Sequence, residues 1–260
     1  MKWNRIKAMC LRHLYPMKRD YDLVSDALFW PFLDVILWGL TSQWLTGGSS
    51  THSKVVVSIL IAIVIWNVLW RAQLEISRDL LDEFWNNNLV NLFSTPLSIL
   101  EWSTAILLLS IVKMLAAIAI ISLGILALYQ INVTVIGWWL LPFMVSAMMT
   151  GWAMGFIVGG LIIRYGYVIQ TVAWSLPGLL LPLSAVYFPL SQLPVVLRQV
   201  ASVVPTSYIF EAMRGLVNGQ PVVLENLLLS FGLNVVYLIF SAWFFAHCFK
   251  KSKELNLARF

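Results

Sequence analysis

Charge is scarce in this chain of 260 residues: Asp, Glu, Lys and Arg make up 11% of it, less than half the share found in soluble domains. So few charges cannot solvate a body that is 60% hydrophobic, which excludes a soluble enzyme core and intrinsic disorder alike. Cysteine occurs twice, at Cys10 and Cys248, too few for a disulfide scaffold. Both fall on the side predicted to be cytoplasmic, where thiols stay reduced. The three histidines, His13, His52 and His247, are scattered, and apart from the His247–Cys248 neighbours none stands at metal-ligand spacing. No Gly-Lys dipeptide occurs, so there is no Walker A loop and the chain does not itself cradle ATP. A Gly-x-Ser-x-Gly elbow and an ordered Ser/His/Asp set are also missing, and no catalytic residue is assigned.

What is present is apolar sequence in long runs, with a mean hydropathy of +0.83. A bilayer core takes roughly 20 apolar residues per helix. Six spans fit, at about 24–45, 54–71, 101–128, 134–163, 167–188 and 226–248. The net charge of +5 does not form a nucleic-acid patch, because the basic residues cluster beside the spans. Six of the 17 (Lys2, Arg5, Lys7, Arg12, Lys18, Arg19) precede the first span and four (Lys250, Lys251, Lys253, Arg259) follow the last. Adding Arg71, Arg78 and Arg164 puts thirteen on one side, against three (Lys54, Arg198, Arg214) on the other. The positive-inside bias then places both termini in the cytoplasm. Trp44, Trp70, Trp102, Trp138 and Trp139 stand near span ends and read as an aromatic belt, with sugar stacking as the alternative.

Two connections and one terminus carry further pattern. Residues 1–22 place Trp3, Ile6, Cys10, Leu14 and Met17 at helical spacing among basic positions, a helix lying in the headgroup plane that Pro16 should end or bend. The cytoplasmic stretch 73–100 predicts a helix with a turn in it, broken by Asn86–Asn88, with Pro96 setting the start of the third span. Its amphipathic face suits a groove on another protein, or the bilayer surface. On the far side, 189–225 is too polar for a full span; Pro194 and Pro205 each open a short helix, and the pair predicts a re-entrant hairpin in which Glu211 and Arg214 share a face.

Polar groups within the spans are functional candidates by default. At 1.5 Å per residue, Asp34 lies roughly 15 Å and Lys113 roughly 18 Å from the inner surface. The two are expected to meet as a buried pair, with a contact along a substrate pathway as the alternative. Asn67, Gln170 and Asn234 read as interhelical hydrogen-bond partners. Ala147, Gly151, Gly155 and Gly159 form a smooth stripe for close helix packing, with the partner expected in the same chain. Pro177 and Pro182 predict a kink in the fifth span.

Taken in order, the amphipathic N-terminus, six spans, the segment Leu92-Phe93-Ser94-Thr95-Pro96-Leu97-Ser98 with Glu101, and the run from Pro189 through Pro205-Thr206-Ser207-Tyr208 to Glu211-Ala212-Met213-Arg214-Gly215 resemble the membrane subunit of ABC-2 type exporters. The resemblance covers essentially residues 1–260 as one transmembrane domain, with the Asn86–Asn88 run departing from the Gly-Thr-Leu-Glu-like stretch of many relatives. It implies an all-α permease in a bacterial-type plasma membrane, a homodimer or a dimer with a related permease. A separate ATP-binding subunit would hold ATP and Mg, the permease itself needing no cofactor. It also implies that Arg78, Asp79, Asp82, Glu83, Phe84 and Trp85 couple to that ATPase, and that Pro194, Pro205, Glu211 and Arg214 close the exit side. A lipid-like or drug-like amphiphile is the expected cargo; a polysaccharide or glycolipid is the alternative, and an intramembrane lipid-modifying enzyme using Asp34 and Lys113 the more distant one.

Overall fold

The computed structural model describes residues 1–17, 21–47 and 53–254; Lys18, Arg19, His52 and Arg259 lie outside them. Among the described residues there is helix and no strand. The helices are α1 (Trp3–Met17), α2 (Tyr21–Leu45), α3 (Lys54–Trp85), α4 (Leu89–Ser94), α5 (Ile99–Tyr129), α6 (Leu140–Tyr165), α7 (Gln170–Leu183), α8 (Val195–Ala201), α9 (Pro205–Val217) and α10 (Leu224–Glu254). Among the described residues four stretches are long and apolar enough to cross a membrane: Lys54–Trp85, Ile99–Tyr129, Val133–Leu183 and Leu224–Ser252. The chain is a multi-pass membrane protein.

The stretch Val133–Leu183 joins what the hydropathy reads as the fourth and fifth spans. It opens with a short 3-10 segment, Val133–Trp139, and changes direction at Gly166, whose φ of 72° is open to glycine but strained for other residues. Pro177 and Pro182 lie inside α7, which runs through both.

α3 is the post around which the rest is built. Its 32 residues read apolar on every face over the first half, the mark of a helix enclosed by protein. From Val56 to Leu69 only Val57 escapes full burial. α6 packs along α3, α10 along α6, and α2, α5 and α7 each lean on α3. The expected break between a second span and a separate cytoplasmic helix is absent: α3 continues from Lys54 to Trp85. Nothing in Gln73–Phe84 stops a helix, and the polar residues there are good helix formers that find partners of their own. The stop comes at Asn86–Asn88, where Asn87 takes a left-handed φ of 51° that asparagine tolerates. α5 then starts on a capping box, Ser98 accepting from the Glu101 N–H and Glu101 from the Ser98 N–H.

The glycine stripe of α6 faces α3 of the same chain. A Cβ on Gly151 would lie 2.4 Å from the Leu69 carbonyl oxygen, and one on Gly155 2.9 Å from Ile76, while Gly159 meets Leu80 and Phe245. Small residues let the two backbones approach this closely. A Gly151→Val variant should therefore lose about 1–3 kcal/mol or more, because a backbone atom and not a flexible side chain must move. Thermal unfolding in detergent reads this, and an unshifted midpoint would refute the close α3–α6 contact.

Candidate functional site

Two features stand out from this scaffold: a bank of ion pairs where α1, α3 and α5 meet, and a cavity between α2, α3 and α7.

Glu75, Asp79 and Glu83 recur every four residues on α3, so their carboxylates share one face. Like charges in that row repel unless cations face them. α1 supplies one, Arg12, 2.6 Å from Glu83, and beside it a neutral imidazole, His13, whose Nδ1 lies 3.2 Å from Asp79 Oδ1. α5 supplies the second cation, with Lys113 Nζ 2.6 Å from Glu75 Oε1. A further tie binds α1 to α5: Glu101 accepts from the Lys2 N–H at 2.7 Å and sits 3.4 Å from Arg5, which also donates to the Pro96 carbonyl. Ile6 and Met9 complete the contact by burying against α3 and α5.

This arrangement changes several expectations. α1 does not merely rest in a headgroup plane, because Ile6, Met9 and Cys10 pack on protein, although Trp3, Leu11, Leu14 and Tyr15 remain exposed. Lys113 meets Glu75 and not Asp34. The depth argument fixes height along a helix but not rotation about it, and α3 running on past Arg71 brings Glu75 level with Lys113. Asp79 and Glu83, expected as coupling contacts, are buried and engaged with α1, and Phe84 is buried too. Arg78 and Asp82 are half-buried, each with partners of its own. What α3 offers outward is its tip, Trp85 with Asn86 and Asn87. Asn88 is turned inward, donating to Glu83 at 2.7 Å. Trp102, read as a belt residue, is fully buried and stacks on Phe245, because α1 covers this end of α5.

His13 gives the bank a pH dependence. Burial, reinforced by the nearby cations Lys113 and Arg12, pushes its imidazole down to about 4 from the ordinary 6.5. The groups facing it are Asp79 on α3, Lys113 on α5 and Arg12 on α1. Between pH 6.5 and 4 the detached imidazole binds a proton that the docked one does not. The docked state is favoured fully above about 6.5 and loses this advantage as pH falls toward 4, by about 2–3 kcal/mol in all. Hydrogen exchange of residues 3–17, corrected for its intrinsic pH dependence, should speed up across that window, and His13→Ala should flatten the effect. Equal profiles for both proteins would refute it.

The cavity has a volume of about 830 Å³. α2 contributes Trp30, Asp34, Trp38 and Thr41; α3 contributes Trp66, Asn67, Trp70 and Arg71; α7 contributes Trp174 and Leu181, with Tyr187 and Phe188 just beyond. Tyr187 stacks on Trp38 at a centroid distance of 4.0 Å. Trp70, also read as belt, is thus a wall residue, whereas Trp44 and Trp138 are exposed. Asn67 lines the cavity and donates to the Ile63 carbonyl of its own helix. Asn234, by contrast, joins two helices: it donates to Ser146 of α6 and accepts from Thr150. The sequence missed this cavity because its tryptophans come from three separate segments. The nearest available signal was that Trp30, Asp34 and Trp38 recur every four residues.

At the opposite end from α1, Pro194 caps α8 and Pro205 begins α9. Arg214 lies 3.1 Å from Glu211, as its spacing suggested. The sequence did not reveal what else the pair holds: Arg214 donates to the carbonyls of Ala185 and Val186, and Glu211 accepts from the Leu190 N–H at 2.6 Å. α9 is thereby tied to the link leaving α7.

No protein-family model matches the chain, and no curated protein matches it.

Proposed function

We propose that this chain is the membrane permease subunit of an ATP-driven exporter of the ABC-2 type, moving an amphiphile across a bacterial-type plasma membrane. In this reading α2, α3, α5, α6, α7 and α10 are the six crossings, α1 and α4 lie on the cytoplasmic side with both termini, and α8 and α9 form the re-entrant hairpin at the exit. Two copies, or one copy and a related permease, act with a separate ATPase. The observation that carries the reading is the course of α3. One side of it walls an aromatic cavity of about 830 Å³, and the same helix runs unbroken to an exposed tip at Trp85. A station for cargo and a handle for a motor are parts of one rigid element.

The tryptophan faces favour a second cargo, since they also suit the pyranose rings of a polysaccharide or glycolipid. The intramembrane-enzyme reading is weakened, because Lys113 is committed to Glu75 and does not approach Asp34.

The test is co-purification from native membranes. The tagged chain should retain an ATPase whose turnover depends on it, and Trp85→Asp should reduce the retained ATPase at least tenfold while leaving elution and thermal stability unchanged. Reversing Asp79 and Glu83 is a poor probe of coupling, because it would first expel α1. Nucleotide hydrolysis by the purified chain alone would overturn the proposal, as would labelling of the Trp85 tip in intact cells by reagents confined to the exterior.

A further inference from the structure

We propose that the cavity between α2, α3 and α7 binds a single lipophilic cation, with Asp34 as its counter-ion and the tryptophan faces as its walls. The inference rests on the reading of this cavity as the cargo station and names the class of cargo.

Asp34 is the observation from which it starts. The residue stands near the middle of α2, a helix of 25 residues, and lines the cavity. Among the described residues no donor is within hydrogen-bond distance of its carboxylate and no cation lies within 4.0 Å of it. Lys113 is occupied by Glu75, and Arg71, which also lines the cavity, has a partner of its own. A carboxylate at mid-bilayer depth without a partner is costly, and such a cost is sustained where it marks a ligand or ion pathway.

The walls specify the rest. Trp30, Trp38, Trp66, Trp70 and Trp174 all face the same space. Indole is the best of the side-chain π faces for a cation, and the attraction grows when water is excluded. A cage of aromatic rings with a carboxylate, in which the Arg71 side chain of the wall is already engaged by a partner, is complementary to a positive charge spread over apolar groups, such as a quaternary ammonium or phosphonium. The volume suits a drug-sized molecule of that kind. An anion of the same shape would meet the same rings but face Asp34 with the wrong sign. A neutral sugar would gain the stacking without using the charge.

The probe is tetraphenylphosphonium, with tetraphenylborate as its anionic counterpart of nearly equal shape, each measured by equilibrium dialysis against the purified full-length chain in nanodiscs. The phosphonium should bind in the micromolar range with at least tenfold preference over the borate, and this preference should vanish in Asp34→Asn and survive in Asp34→Glu. Trp66→Leu should weaken the phosphonium several-fold without reversing the preference. Equal binding of the two ions to the native chain overturns the inference even if no variant can be purified, and so does unchanged phosphonium affinity in a well-behaved Asp34→Asn. Binding of a maltooligosaccharide at this cavity in place of the phosphonium also overturns it. These outcomes are separate from ATPase co-purification: retained ATPase with no phosphonium binding sinks the cation alone, and phosphonium binding with no ATPase partner sinks the exporter alone.

Discussion

Lys113→Met should be among the most damaging single substitutions in the chain, lowering stability by about 3–5 kcal/mol. The Lys113 and Glu75 side chains are only 14% and 12% exposed, and they meet at 2.6 Å where α5 crosses α3. Removing the ammonium leaves Glu75 buried beside Asp79 with no cation, and the second Glu75 oxygen already has no hydrogen-bond partner. The cost is that of an orphaned charge and not the net worth of the pair. Glu75→Leu combined with Lys113→Met should therefore recover most of the loss, since a matched apolar pair needs no neutralisation. Thermal unfolding of the single and double variants in the same detergent decides the matter. A double variant no better than the single would show that Lys113 acts through something other than Glu75.

Arg214→Met should come next, at about 2–4 kcal/mol, with its effect confined to the end of the molecule bearing α8 and α9. Its guanidinium serves the carbonyls of Ala185 and Val186 and the carboxylate of Glu211 together, while Glu211 in turn holds the Leu190 N–H. The variant strands two carbonyls and one carboxylate at a turn where Ala185 already takes a left-handed φ of 53°. Arg214→Lys should rescue only part of the loss, because an ammonium cannot reproduce the planar fork that reaches three acceptors. Hydrogen exchange should rise in residues 184–217 and stay unchanged in α1. Uniform loosening across the chain would instead mark a general folding defect.

Local chemistry made much of this architecture readable from the residues alone. Proline just before α8 and at the first position of α9 announced both helices, the four-residue rhythm of glycine marked the α6 face that meets α3, and the i,i+3 spacing of Glu211 and Arg214 gave their pairing. Each of these needs only a few neighbours along one chain segment. The bank of ion pairs needs more, because which acid meets Lys113 depends on the rotation of two helices and on where α3 ends. A break placed after Arg71 removed Glu75 from the depth of Lys113, and one wrong boundary thus produced one wrong partner. Trp102 was misplaced for a related reason: a position near a span end implies the interface only when nothing covers that end, and α1 does. The cavity was least legible, since its walls come from α2, α3 and α7 and no single window contains them.

The unbroken course of α3 has a mechanical consequence. Thirty-two residues make a rod of roughly 48 Å, held along most of its length by close-packed neighbours that resist bending. A push on the tip must then tilt the whole element, and a pivot of about 5° about one end would carry the other by about 4 Å. In the exporter proposed above the helix would work as a lever: a small shove at Asn86–Asn87 would become a change in the spacing of Trp66 and Trp70 from Trp38. Inserting a pair of glycines near Gln73 would turn the lever into a hinge and leave both of its ends intact but mutually deaf.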